Sequence, residues 1–396
     1  MSKRVSSFSA FPFTGLFIAP VLAFTLVACE SEEGPAPIAP GTVKVMAKAE
    51  TAPVASGDDA ADDPAIWVNP VDPLKSLIVG TDKKNGLVVY DLSGAIVYEN
   101  SDGFMNNVDL RADFPITTNN GDPETATPTI IVAATNRTDR TIAVYKMDPD
   151  TGTLTNVLVE PLASNFDDPY GLCLYRSGET GKLYVYANDK DGDVSQWQLY
   201  DNGLGQLRAT IQRSWDIGSQ PEGCVGDDAT GEIFMGEESV GIWRYGAEPG
   251  ESMTERVSVD STGLGNSGGG HLSADVEGLS IYAPPGGDPS QGYLIASSQG
   301  NYTYVVYDRA APHAYRGTFQ IVDNPGADSA QNKGLGVDGV QETDGLDVVA
   351  TPVGPDYPAG LLVVQDGYNK NPDGSDANQN FKYVSWADIA AALNLE

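Results

Sequence analysis

The sequence predicts an all-β fold, a six-bladed β-propeller with four-stranded blades, and three observations carry that prediction. A short acidic phrase heading an apolar run returns six times: DDPAIWV from Asp62, NVDLR from Asn107, DPYGLCLY from Asp168, PEGCVGDD from Pro221, DVEGLSIY from Asp275 and TDGLDVV from Thr343. Each copy leads into further strand-like runs and polar turns, and the copies start roughly 45 to 70 residues apart, which suits a four-stranded unit with variable loops. Helical periodicity is confined to Trp386–Leu395, with Ser385 placed to cap it. One such unit cannot bury its own apolar face, whereas six in a ring bury one another's.

The elements follow in chain order. Lys3 and Arg4, an apolar stretch from Phe8 to Val27 and the tetrapeptide Leu26-Val27-Ala28-Cys29 read as a bacterial lipoprotein export signal over residues 1–28. On that reading Cys29 is lipidated and anchors an exported protein to the cell envelope. An ordinary cleaved signal, and hence a secreted protein, is the alternative. Pro12 and Pro20 interrupt the run and argue against a permanent span. Residues 29–41, rich in Pro and polar groups, suit a flexible tether, and the folded body is expected over 42–396. TVKVMAKAE alternates as a half-buried strand does and is expected to pair with the last unit and close the ring. The first blade then reads DDPAIWV, SLIVGTD, LVVYDL and GAIVYEN, and the later units repeat that order.

The 396 residues carry a formal net charge of −32, with a pI near 4.1. Such a surface repels a phosphate backbone and an anionic lipid headgroup, which excludes unaided nucleic-acid or membrane-surface binding and favours bound cations. Membrane contact is expected only through the Cys29 lipid, and the exported chain is expected to be a monomer. Beyond the signal two cysteines remain, Cys173 and Cys224, in related places of the third and fourth repeats. In an oxidising compartment they read as a disulfide, with two buried thiols as the alternative.

In a propeller the first strand of each blade lines the central channel, so the residues heading those strands converge. That expectation places Asp62, Asp63, Asp109, Asp168, Glu222, Asp275, Glu277, Asp344 and Asp347 at or near one rim. Crowded carboxylates repel and resist ionisation unless cations neutralise them. With only His271 and His313 in the chain, an all-oxygen set favours Ca²⁺, in several copies, over zinc or copper. The turns after the second strands add Lys83, Lys84, Arg137 and Lys190 in blades one to three, against Glu237, Glu238, Gln299 and Asn301 in blades four and five. A polyphosphate laid across such a rim would meet direct cations on one side and metal-bridged contacts on the other.

GDDAADDPAIWVNP, TDKKNGLVVYDL, NNVDLRADF, DPYG, PEG, DVEGLSIY, GYLIASSQGN, ETDGLDV and ANQNF resemble the β-propeller phytases, bacterial calcium-dependent enzymes, from about Ala49 to Ile389. The resemblance implies release of phosphate from myo-inositol hexakisphosphate (phytate), free or as its calcium salt, by water activated on calcium. It implies phosphate-holding roles for Lys83, Lys84, Arg137, Tyr170 and Lys190. Asp63, Glu222, Glu238, Asp275, Glu277 and Asp344 resemble ligands of metals that bind substrate and activate water. Of these Glu222, Glu238, Glu277 and Asp344, with Tyr170 as a hydrogen-bonding positioner, form the expected catalytic set. Glu50, Asp59, Asp62, Asp338, Asn378 and Gln379 resemble ligands of stabilising calcium, and the repeat pattern adds Asp109 to the metal set. The competing readings are a lactonase-like propeller hydrolase with one central metal and a non-catalytic calcium-stabilised binding propeller.

Overall fold

The computed structural model describes residues 35–396 except 118–121, 265–268, 287, 328–330, 332, 335 and 372. The expected signal, Cys29 and the first part of the tether lie outside the described residues. Six sheets, each built on four antiparallel strands and two of them carrying a fifth, account for nearly all of the described secondary structure. Their inner strands are Ala61–Trp67, Met105–Thr117, Pro169–Arg176, Pro221–Asp227, Val276–Tyr282 and Leu346–Val349, one from each of the six repeated phrases. The fold is the expected six-bladed propeller.

Within blades one to five the four-stranded ladder runs outward in sequence order, because hairpin turns join consecutive strands. Blade one, for example, pairs Ala61–Trp67, Leu77–Asp82, Gly86–Asp91 and Ile96–Glu99 in that order. The core is a set of wedges at the seams between blades. Side chains from blades two and three (Ile131, Val144, Leu174, Val185 and Trp197) pack together, and Phe381 and Tyr383 of blade six pack on Ile78, Val88 and Tyr90 of blade one. Each seam buries the face that a lone twisted sheet would leave in water.

Ring closure differs in part from expectation. The alternating N-terminal stretch divides: Ala49–Glu50 pairs antiparallel with Asn380–Ser385 and completes blade six, but Val43–Met46 pairs parallel with Tyr315–Val322 on the outer edge of blade five. Burial explains the division, since Val45 and Ala47 join the core between blades five and six with Phe319 and Ile321. The ring is thus closed non-covalently by two strands that precede blade one. The end of the expected tether is seated on the domain: the Ala36 N–H donates to the Gly300 carbonyl at 2.7 Å and Ala39 is buried. The helix spans Trp386–Leu393 and stops where Asn394 turns left-handed; Ser385 holds the N-cap position without a side-chain capping bond. Trp386 stacks on Tyr282 at 4.0 Å, which docks the helix over blades five and six.

Candidate active site

Three inner strands, and the segment that leads into a fourth, place glycine directly after a functional residue: Tyr170-Gly171, Glu222-Gly223, Glu277-Gly278 and Asp344-Gly345. The spacing of the ring requires it. A Cβ on Gly171 would lie 1.9 Å from the Glu222 carbonyl oxygen, and one on Gly223 would lie 2.0 Å from that of Glu277. Only a residue without a side chain lets neighbouring inner strands approach so closely, and that approach gathers the preceding side chains at the channel mouth. Tyr170, Glu277 and Asp344 line an open cavity of ≈ 800 Å³ together with Lys83, Glu238, Asp275, Gln220, Gln299, Asn378 and Gln379.

Among the described residues, Glu222, Glu238 and Glu277 bring one carboxylate oxygen each to within 4.8 Å of one another, and all three side chains are buried. Both oxygens of Asp62 and Oε2 of Glu277 are buried and without a hydrogen-bond partner. Burial raises the Asp62 carboxyl well above the usual carboxylate range, against the pull of Lys83, with Glu222, Asp344 and Asp63 adding to the rise. Burial, then Glu222, does the same to Glu277. Burial lifts Glu238 to about 7 even though the Gln220 amide donates to it at 2.7 Å. Asp344 rises to about 6 through burial, opposed by Lys83. So many oxygens cannot all carry charge in a shared buried pocket without a cation. An all-oxygen donor set with orphaned carboxylate oxygens fits a hard divalent ion, and the residues therefore suit calcium chemistry.

The basic side chains stand beside this cluster and are drawn into it. The Lys83 ammonium lies 2.7 Å from Asp59, 2.9 Å from Asp344 and 3.6 Å from Asp62. Burial works against that charge, but the three aspartates outweigh it and raise the Lys83 pKa. Arg137 makes a two-pronged bond to Asp168 at 2.8 and 3.0 Å and a third bond to Asn106. Asn106 in turn donates to Glu222 at 2.7 Å. Lys190 sits 4.2 Å above the Tyr170 ring. Burial, then the charges of Glu222 and Glu277, push the Tyr170 phenol far up, which favours its role as a hydrogen-bond donor. Lys84 lies at the edge, donating to the Gly57 carbonyl at 2.6 Å.

Other expected site residues fall elsewhere. Asp109 and Asp347 sit further along the inner strands, where with Asp63 they line a small separate cavity inside the channel. Their carboxylates receive backbone N–H groups from neighbouring blades: Asp63 from Val108, Asp109 from Leu174 and Asp347 from Ile66. Asp109 also holds Arg111 at 3.0 Å. Asp63, Asp109 and Asp347 thus stitch blades together below the rim on which the repeat pattern had placed them. The residues expected to hold stabilising calcium form three groups. Glu50 and Asp338 converge on the buried ammonium of Lys382, at 2.6 and 2.5 Å, with Asp366 at 3.3 Å. Asp59 and Asp62 face Lys83, while Asn378 donates to the Val54 and Ala55 carbonyls and Gln379 accepts from Ala60 N–H. Lys382 has the one readable signal in this set, a lysine in the fully buried strand NFKYVS. The positioning amides Asn106 and Gln220 left no distinctive mark, whereas Gln299, which the turn pattern picked out, donates to Asp344 at 2.6 Å.

Cys173 and Cys224 are bridged, with Cα atoms 5.6 Å apart, joining the inner strands of blades three and four.

An acidic, cation-demanding mouth flanked by lysine, arginine and a protonated tyrosine defines a propeller hydrolase built for an anionic substrate. Comparison narrows the class. The Phytase family model matches residues 21–396, and a relative described as a 3-phytase, from Bacillus subtilis (strain 168), is 43% identical over 354 residues, covering 88% of this chain and 85% of the relative. The chain belongs to the phytase family. A solved calcium-binding protein, regucalcin from Agrobacterium tumefaciens str. C58, superposes with a TM-score of 0.51 at 12% identity, covering 87% of this chain and 97% of that one, which is a likeness of fold.

Proposed function

We propose that the chain is a calcium-dependent phytase that releases phosphate from myo-inositol hexakisphosphate with water as the nucleophile. The observation that carries this reading is the meeting of Glu222, Glu238 and Glu277, with the orphaned oxygens of Asp62, directly beside Lys83, Tyr170 and Lys190. The 3-phytase named among its relatives supports the substrate. Glu222, Glu238, Glu277, Asp62 and Asp344 would hold the metal, and Asp275 lines the same cavity. Bound calcium supplies positive charge that neutralises phosphate oxygens and makes a water more acidic. Lys83, Arg137 and Lys190 supply charge-assisted donors to phosphate, and Tyr170 donates a further hydrogen bond. With a cation held by Asp62 and Asp344, Lys83 would be free to turn its ammonium from those carboxylates to a substrate phosphate. A hexakisphosphate offers one phosphate to the acidic side and another to the basic side, which favours it over a simple monoester.

The test is phosphate release from inositol hexakisphosphate, with calcium and with chelator, beside p-nitrophenyl phosphate. Release that needs calcium and strongly prefers the hexakisphosphate is expected; equal turnover of both esters, or turnover in chelator, refutes the reading. The proposal extends to location. The chain acts outside the cytoplasm as a monomer, anchored through a lipid on Cys29, and Cys29→Ser should release it from membranes.

A further inference from the structure

Tyr170 and Glu222 stand on neighbouring inner strands, and the local backbone pairing does not fix either. Both strands slip register at the site residue: blade three between Pro169 and Leu172, blade four between Pro221 and Cys224. Tyr170 and Glu222 therefore lie in bulged stretches outside the regular ladder. The two strands also belong to different sheets, so no ladder runs between them. Next to the site two devices cross the seam, whereas bonds such as that from the Arg176 N–H to Asp228 cross it further along the strands. The buried Asn188 amide accepts from the Gly171 N–H at 2.9 Å and donates to the Glu222 carbonyl at 3.1 Å. The Cys173–Cys224 disulfide closes the seam three residues beyond Tyr170 and two beyond Glu222, where both ladders resume.

We propose that Asn188 and the Cys173–Cys224 disulfide form a cross-blade clamp that sets the distance between Tyr170 and Glu222, and so act as positioning residues for catalysis. The inference rests on the proposed function. The clamp works because the two groups it aligns serve one phosphate from opposite sides of the seam, Tyr170 by donating a hydrogen bond and Glu222 by holding the metal. Gly171 against the Glu222 carbonyl makes the seam close, but contact alone resists only approach, whereas a covalent bridge also resists separation. A displacement of a few tenths of an ångström there misaligns both groups.

The test is a double-mutant cycle between the Cys173→Ala/Cys224→Ala pair and Tyr170→Phe, with kcat and KM for inositol hexakisphosphate measured well below the melting temperature. The clamp predicts that the alanine pair lowers kcat about tenfold with KM changed less than about twofold. It also predicts that Tyr170→Phe costs at least about threefold less in that background, because its partner geometry is already lost. A kcat within about twofold of the unaltered protein, or losses that simply multiply, overturns the proposal by assigning the disulfide to stability alone. Should the alanine pair fail to fold, Asn188→Ala with the disulfide intact tests the other half of the clamp in the same cycle. Calorimetric titration with calcium reads the position of Glu222 apart from turnover. Weaker calcium binding in the alanine pair supports the clamp even if the unaltered protein proves inactive on phytate, an outcome that sinks the proposed function alone; unchanged calcium binding in that case overturns the clamp as well.

Discussion

Stripped of metal, this protein should lose stability as pH rises, opposite to the usual behaviour of a surface carboxylate. Asp344 shows the size of the effect. Its carboxyl is raised by burial from an ordinary 3.8 to about 6, so the folded chain holds a proton that the unfolded chain has released. A raised acid contributes its full stability below the unfolded value and loses it as pH climbs through the folded one. Between pH 5 and 6, Asp344 alone removes about 1 kcal/mol. Glu238, raised to about 7, extends the loss upward, and Asp62 and Glu277 act in the same direction. Hydroxyl hydrogen bonds hold Asp148 and Asp373 below 3.8, so they do not titrate in this window. Thermal melts of chelated protein at pH 5 and pH 8 should therefore differ by at least about 3 °C, with the lower temperature at pH 8. Added calcium should raise the melting temperature more at pH 8 than at pH 5, because it replaces protons that are present only at the lower pH. A chelated protein at least as stable at pH 8 as at pH 5 would refute the claim that uncompensated mouth carboxylates dominate.

Three further outcomes are expected. Glu222→Gln keeps the shape and the Asn106 contact but removes a charge from the trio, so turnover should fall at least about 100-fold without loss of the circular-dichroism spectrum; wild-type rates would remove Glu222 from the site. Gly223→Ala drives a methyl group against the Glu277 carbonyl, so kcat and melting temperature should fall together, and an unchanged kcat would show that the ring can relax at that seam. Lys382→Met leaves Glu50, Asp338 and Asp366 without their buried cation and should cost about 3–5 kcal/mol in denaturant unfolding. A cost under about 1 kcal/mol would mean that another cation already compensates those acids.

The sixfold phrase, the four-run units and the single helical stretch were enough to predict blades and ring, because strand alternation and turn chemistry are local properties written residue by residue. Glu222, Glu238, Glu277 and Asp344 were also readable as neighbours, since each stands at a fixed place in a repeated unit and the ring brings equivalent places together; Tyr170 came only through the family resemblance. Depth along the channel was not readable. Asp109 and Asp347 belong to the same repeated phrases yet lie below the mouth, because a few residues along an inner strand separate a rim ligand from an inter-blade tie. Lys382 shows the same limit from the other side: it is one buried lysine in a strand, and its meaning depends on Glu50, 332 residues away, and on Asp338.

Sequence alone therefore determined the all-β class, the number of blades, the excess of acid and the kinds of group at the site. Tertiary structure decided which oxygens share a cavity, which cations they capture, where the N-terminal strands attach and how the two cysteines meet. The physical reason is that repeat position records which face of a strand a residue occupies, whereas pairing between charges depends on distances across seams. Those distances are set only when six blades, spaced by glycines such as Gly171 and Gly223, close on one another.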